Sequence, residues 1–435
     1  MNCRSIVLLL VFLGILISYI DRGNLGVAAP WMMRDFRIAP AAMGVLLSAF
    51  FWTYSAFQIP AGALVDRFGI RRAYAGGFLV WSLASAAIAL SRGTGDVIGL
   101  RMALGLAEAI APMASISFIR NNFAGKDQGL PTSIYLAGQH VGPALGALVG
   151  AILVDRFGWR MMFAITGLGA LIWLPCWLAA APSGGAHVTP EAEKTPQSFP
   201  QNLPSAKAED RAYSMHGAPA DAHGATRRWT WRMLLVNRTF WAMSLCIFMA
   251  SYFWYFVLTW VPSYLILSRG FSTLAMGRVV STAMFIMAGV NVVGGWAADK
   301  LAARIGVFPA RLWFSGMGYV ANGIVLLLLV TPSRFWALPI LTVALCGTGI
   351  GNSSFWAISQ HVPPKNMVGR TVGYLNMVAV AAGAAAPIIT GLILGPQKHF
   401  GPAILVAGMC PVLAAVCLLA VGAQGLERMK ALLAR

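Results

Sequence analysis

Charge is what this chain has least of. Only 11% of its 435 residues are Asp, Glu, Lys or Arg, against roughly 25% in soluble domains. Acids are the scarcest, 14 Asp and Glu against 32 Lys and Arg, for a formal net charge of +18. Cysteine is thin as well. Positions 3, 176, 246, 346, 410 and 417 fit neither a metal site nor a disulfide framework, so they read as small buried apolar residues. No nucleophile–base set, phosphate-binding loop or metal-ligand cluster appears. That disfavours an enzyme and leaves no site for a resident cofactor.

What is abundant is apolar. The chain is 58% hydrophobic with a mean hydropathy of +0.71. Long apolar segments recur, each near the ~20 residues that cross a ~30 Å hydrocarbon core. Backbone polar groups cannot go unpaired in lipid, so these segments must be helices. The expected spans are 5–29, 41–64, 73–91, 96–119, 129–154 and 159–181, then 238–266, 273–298, 311–332, 336–359, 370–394 and 401–422. The opening MNCR and its apolar run imitate a signal peptide. The run is long, ends in Asp21-Arg22 and is followed by many more spans, so it reads as an uncleaved first span. Between the two sets of six lies 183–232, polar and rich in Pro, Ala and Ser, which reads as a disordered linker. The expected fold is therefore an all-α membrane protein of twelve transmembrane helices, with six-helix halves at 1–182 and 233–435.

A charge of +18 in a soluble chain would suggest nucleic acid. Here the cations are mostly in short loops, so no nucleic-acid partner is expected. One alternate set of loops holds Arg67, Arg71, Arg72, Arg120, Lys126, the linker's basic residues, Lys300, Arg304, Lys365 and Arg370; the other holds about half as many, including Arg34, Arg37, Arg156, Arg160 and Arg269. The positive-inside rule makes the richer side cytoplasmic, with both termini and the linker inside.

A repeat links the halves. GALVDRFGIRR (62–72) follows the second span and GWAADKLAARIG (295–306) follows the eighth, placing Gly62, Asp66 and Arg71 against Gly295, Asp299 and Arg304 at equal spacing. Such duplication marks transporters built from repeats. GALVDRFGIRR resembles the loop signature of the major facilitator superfamily. YIDRGNLGVAAP, GLRMALGLAEAIAPMAS, YFVLTWVPSYL and FWAISQHVPPKNMVGRTVGYLNM together resemble its anion:cation symporter family, which carries hexuronates, glucarate, galactonate, tartrate, phthalate and, in animals, sialic acid and glutamate. The resemblance covers the whole chain except the linker. It implies two pseudo-symmetric halves, a bacterial inner-membrane location and a monomer.

Of the fourteen acids only Asp21 and Glu108 fall well inside a span, with Arg22 and Arg101 as the clearly intramembrane cations. A charge at the bilayer centre costs ~2.5–3.5 kcal/mol on insertion scales, so four of them argue for function. Helical rise puts Asp21 ~25 Å from Arg4 and Arg101 ~28 Å from Arg120, at similar heights in the outward half, with Glu108 near the midplane. Arg101 and Glu108, seven apart, share one helix face. A guanidinium stays charged and its planar fork fits a carboxylate, so Arg22 and Arg101 suit an organic anion. Poor solvation favours a protonated carboxyl and a nearby Arg the charged one, so Asp21 and Glu108 can exchange protons as access alternates. The contrary reading, that Asp21–Arg22 and Arg101–Glu108 are ion pairs for helix packing, faces the desolvation that apolar residues would avoid.

The resemblance supports the functional reading, since in the family these four positions are the proton and substrate elements. It also implies that Tyr54, Gln139 and Asn376 line the substrate cavity, where each could equally be a packing hydrogen bond. Tyr255, Trp260, Phe355 and Trp356 could form an aromatic wall, or packing and interface belts. His140 and His361 receive no role. The resemblance also gives Asp66 with Arg71 and Asp299 with Arg304 the family's gating role, in which loop charges hold the cytoplasmic ends of the halves together in the outward-open state. One position departs from the family: Val380 stands where many sugar-acid carriers have a second Asn, which favours a less hydroxylated or aromatic acid. The expected activity is proton-coupled import of an organic or sugar-acid anion. Two other readings stay open, a proton-antiporting exporter and a membrane sensor without flux.

Overall fold

The computed structural model describes residues 3–123, 128–181, 238–331, 333–361 and 368–433; the linker, Lys126, Asp127 and Lys365 lie outside the described residues. Among the described residues all regular structure is helical. In chain order the helices are α1 (Cys3–Asp35), α2 (Pro40–Ala87), α3 (Thr94–Glu108), α4 (Ile110–Asn122), α5 (Gly129–Ala170) and α6 (Trp173–Ala180). The second group comprises α7 (Arg238–Leu267), α8 (Thr273–Ile305), α9 (Val307–Asn322), α10 (Ala337–His361), α11 (Val368–Leu394) and α12 (Phe400–Leu433). Local chemistry starts several of them. Pro40 sits in the first turn of α2, where its missing N–H is not needed. The Ser272 hydroxyl accepts from the Ala275 N–H and caps α8.

Among the described residues ten stretches are long and apolar enough to cross a membrane, and two of them, Pro40–Leu90 and Leu130–Ala180, are 51 residues long. Straight helices of that length would run about 76 Å, more than twice a bilayer core. Each is bent at a left-handed glycine: Gly69 (φ 77°, ψ 156°) and Gly158 (φ 79°, ψ 166°). Both glycines end the same hexapeptide, LVDRFG, at 64–69 and 153–158. The Arg two residues after each caps a helix end. Arg71 donates to the Leu178 carbonyl at the end of α6, and Arg160 donates to the carbonyls of Ala89 and Ser91 after α2 (2.9 and 2.7 Å). The two staples are reciprocal: each bend secures the last turn of the other's helix. The orphan carbonyls of a helix end need such donors.

Small residues set the packing. Gly138, Gly142, Gly146 and Gly150 recur every four residues along α5 and press on α1. A methyl group there would lie 2.3 Å from the Ile15 side chain, 2.6 Å from Tyr19 Cβ, 3.1 Å from Ile20 Cα and 3.3 Å from Asn24 Oδ1, respectively. Without a hydrophobic drive in lipid, such close approach supplies the dispersion that holds helices together. The same device joins the two groups of helices at the ends remote from the N-terminus. A methyl on Gly26 would lie 2.5 Å from the Leu258 carbonyl, on Gly44 2.4 Å from that of Pro387, on Gly391 2.5 Å from that of Pro40, and on Gly277 2.8 Å from that of Ala147. That end of the bundle is sealed backbone to backbone. Further along, polar side chains replace the backbone seam: Asn376 donates to Gln58 (3.4 Å), and Asn291 meets His140 (3.3 Å).

Candidate functional site

All four intramembrane charges are buried: Asp21 is 1% exposed, Arg22 6%, Arg101 1% and Glu108 0%. The glycine ladder of α5 holds α1 with Tyr19 and Asn24 at the contact, which fixes the face carrying Asp21 and Arg22. Helix α3 is pressed onto α2 at Gly105, where a methyl would lie 2.3 Å from the Phe50 carbonyl, and the Thr53 hydroxyl donates to the Met102 carbonyl (2.7 Å). This brings Arg101 to the Phe50 ring, 5.2 Å from its centroid. Glu108 closes α3, and Pro112 in the next turn has no N–H to give its carbonyl.

The ion pair crosses helices. Arg22 Nε donates to Glu108 Oε2 at 2.8 Å. Neither of the pairs that a packing role would form, Asp21–Arg22 or Arg101–Glu108, is the one observed, because the glycine-tightened contacts bring α1 across the end of α3. The Arg22 guanidinium also lies over three rings, Tyr19 at 4.5 Å, Phe50 at 4.9 Å and Tyr54 at 4.5 Å, a weakly hydrated cation in an aromatic cage. Arg101 is held differently: its Nε and Nη1 are buried with no hydrogen-bond partner. Asp21 Oδ2 and Glu108 Oε1 are likewise unpartnered. Asp21 Oδ1 instead accepts from Ser85 (3.1 Å) and Asn24 (3.4 Å).

The remaining expected residues divide. Tyr54 joins the cage. Tyr255 meets Phe51 edge-on, centroids 4.7 Å apart. Val380 is buried in the apolar cluster that holds Phe51 and Tyr54. Gln139 donates to the Tyr135 hydroxyl (3.3 Å), and Asn376 reaches Gln58. Trp356 packs beside Phe355 in the core of the second group, and Trp260 is fully buried, donating to the Pro387 carbonyl at the sealed end (3.1 Å). Neither of these two tryptophans takes part in the Arg22 cage. Of the residues given the gating role, Asp299 pairs with Arg311, Arg71 donates to the Leu178 carbonyl of α6, and Asp66 and Arg304 are exposed. Helix α8 ends at Ile305 and α9 starts at Val307, so the chain turns at Gly306 (φ 91°) and Arg311 of α9 reaches back to Asp299. Tyr19, Phe50, Ser85, Asn24 and Thr166 were missed in the sequence. Tyr19 stands one turn before Arg22 and Asn24 one turn after Asp21, the two local signals among them.

Buried opposite charges inside a helical bundle, with both orphan donors and orphan acceptors, fit a membrane transporter. The chain belongs to the Major Facilitator Superfamily, whose sequence profile matches residues 11–387. Its relatives include a probable galactarate/D-glucarate transporter of Escherichia coli (strain K12), 26% identical over 434 residues and covering 96% of this chain and 94% of the relative. The hexuronate transporter of Bacillus subtilis (strain 168) is 27% identical over 432 residues, covering 95% and 93%. These are members of the anion:cation symporter family that the motifs resemble. Among solved structures, a bacterial homologue of the human lysosomal transporter Spinster, inward-facing and occupied, aligns with a TM-score of 0.72 at 18% identity over 97% of this chain and 96% of that one. A peptide transporter bound to sulfate aligns at 0.71 with 15% identity over 96% and 94%. These two likenesses establish the fold.

Proposed function

We propose that this protein imports an organic anion, a sugar acid or another carboxylate, across a bacterial inner membrane together with protons. The observation that carries this reading is the pattern of orphan atoms. Arg101 presents two buried donors, on different edges of its guanidinium, with no acceptor, a demand that an incoming anion meets. Asp21 and Glu108 each present a buried oxygen with no donor, which matches a proton. A purely structural quartet would pair these groups with one another, because a buried unpaired charge costs more than the pair gains. The names of the relatives, carriers of galactarate, glucarate and hexuronate, support the anion class.

The mechanism follows from the pairing. A proton on Glu108 releases Arg22, which with Arg101 grips the substrate carboxylate. Rocking of the halves then exposes the site to the other side, where loss of the protons returns Arg22 to Glu108 and expels the anion. The two 51-residue stretches, each bent at glycine, are read as two spans apiece, giving twelve spans in halves 1–182 and 233–435 joined by 183–232. With both termini cytoplasmic, the sealed end faces outward, and Asp66, Arg71, Asp299 and Arg304 would meet across the halves only in the opposite state. The transporter is read as a monomer.

The test is uptake into proteoliposomes across an imposed inward proton gradient, with glucarate, galactonate, glucuronate, tartrate and phthalate, for wild type and Arg101→Ala. Gradient-driven accumulation of one acid, lost in the variant, supports the proposal. No accumulation of any acid by folded protein refutes import of this substrate class and favours export.

A further inference from the structure

Asp21 has unequal oxygens. Oδ1 accepts two hydrogen bonds, from the Ser85 hydroxyl on α2 (3.1 Å) and from the Asn24 amide one turn further along α1 (3.4 Å). Oδ2 is buried and accepts none. The orientation of Asn24 is not arbitrary. Its Nδ2 also donates to Thr166 Oγ1 on α5 (3.2 Å), and Thr166 spends its single hydroxyl proton on the Met162 carbonyl (2.9 Å). Thr166 can offer Asn24 only lone pairs, so the NH₂ end of the amide must face it, and the second N–H of the same nitrogen then points at Asp21. The chain of donors runs Ser85 to Asp21 from one side, and Thr166-oriented Asn24 to Asp21 from the other. Ser85 and Asn24 are fully buried, so no water competes for their protons. The charged groups acting on Asp21 are Glu108 and Arg101, both on α3.

We infer that Ser85, Asn24 and Thr166 are positioning residues for the transported proton: they fix Oδ1 of Asp21 as a permanent acceptor and leave Oδ2 as the atom that takes the proton up and gives it back. A carboxyl proton cannot sit on an oxygen whose lone pairs are already engaged by two donors without displacing one of them. The step is a plain proton exchange: an O–H bond forms at Oδ2 as the carboxylate becomes neutral, and breaks as the proton leaves to water. All members of the network lie in the first group of helices, on α1, α2 and α5. The seat therefore travels unchanged when the halves rock, and only the access of Oδ2 to either side alternates. The inference rests on the proton-coupled reading above and adds the residues that make it work.

The donors stabilise the charged carboxylate, so removing one favours the protonated form and moves its titration midpoint up. The experiment is pH-titrated infrared difference spectroscopy of purified protein in lipid, which needs no substrate. The C=O stretch of a protonated carboxyl is assigned to Asp21 by its loss in Asp21→Asn. Ser85→Ala is expected to raise the midpoint of that band by about one pH unit, the size of one hydrogen bond to a charged group. Ser85→Thr, which keeps the hydroxyl, is expected to restore it. Thr166→Val, which frees the Asn24 amide to turn, is expected to shift it in the same direction by no more. A midpoint unmoved in Ser85→Ala and Thr166→Val overturns the inference while leaving proton coupling through Asp21 intact. No titrating Asp21 band in wild type overturns both.

Discussion

Substituting Glu108 by Gln isolates the charge of the Arg22–Glu108 pair from its shape. Gln keeps a carbonyl oxygen where Oε2 accepts from Arg22 Nε at 2.8 Å, so the cage of Tyr19, Phe50 and Tyr54 around the guanidinium has no reason to collapse. What is lost is the proton. Each proton carried down a gradient of one pH unit supports about tenfold accumulation. With Asp21 and Glu108 both carrying, a one-unit gradient supports up to about a hundredfold; with Glu108→Gln the ceiling falls to about tenfold or the coupling fails outright. The amide mimics the protonated acid, so exchange of labelled for unlabelled substrate, which needs no net proton movement, is expected to persist. The assay is therefore a pair of measurements on the same proteoliposomes, steady-state accumulation against counterflow. Glu108→Ala supplies the structural control. It strips the buried Arg22, its side chain 5% exposed, of its counter-ion, and breaking a buried pair in this way costs about 3–5 kcal/mol. It should lower the thermal midpoint by several degrees, and by more than Gln, which removes the same counter-ion but keeps an acceptor for Arg22 Nε. Wild-type accumulation in Glu108→Gln would refute the proton role, and equal stability of Ala and wild type would refute the energetic weight of the pair.

Three further outcomes are expected. Arg101→Lys replaces a fork by a point charge, and should raise the KM for the transported anion about tenfold or more with little change in thermal stability. Gly44→Ala places a methyl 2.4 Å from the Pro387 carbonyl in the sealed seam; overpacking of about 1–3 kcal/mol should shift the population toward the state open at that end by roughly fivefold or more, read as faster labelling of a cysteine introduced on the pore side of Gly391. Gly158→Ala at φ 79° should destabilise by about 1–2 kcal/mol through the left-handed backbone, whereas Gly62→Ala, with nothing within 4 Å, should leave the thermal midpoint unchanged.

The sequence by itself determined that the chain is helical and spans a membrane, because a bilayer admits no other satisfied backbone for runs so apolar. It also picked out Asp21, Arg22, Arg101 and Glu108, since a charge stands out within an apolar span and is expensive to keep there. The LVDRFG duplication and the four-residue glycine ladder of α5 were present in the sequence too, but their meaning was not: a glycine reads as permission for close approach without naming what approaches. Only the tertiary structure decided that Arg22, and not Arg101, pairs with Glu108, that Arg71 and Arg160 staple each other's helix ends, and that Asp299 turns to Arg311. Those outcomes depend on which helix face meets which across 86 residues of sequence in the case of Arg22 and Glu108. Helical periodicity places a side chain on a face, whereas the partner of that face is chosen by packing between helices distant in the chain. Ser85, Asn24 and Thr166 show the same limit. Each is an ordinary small polar residue of a span until folding turns Ser85 and Asn24 toward one carboxylate and Thr166 toward Asn24.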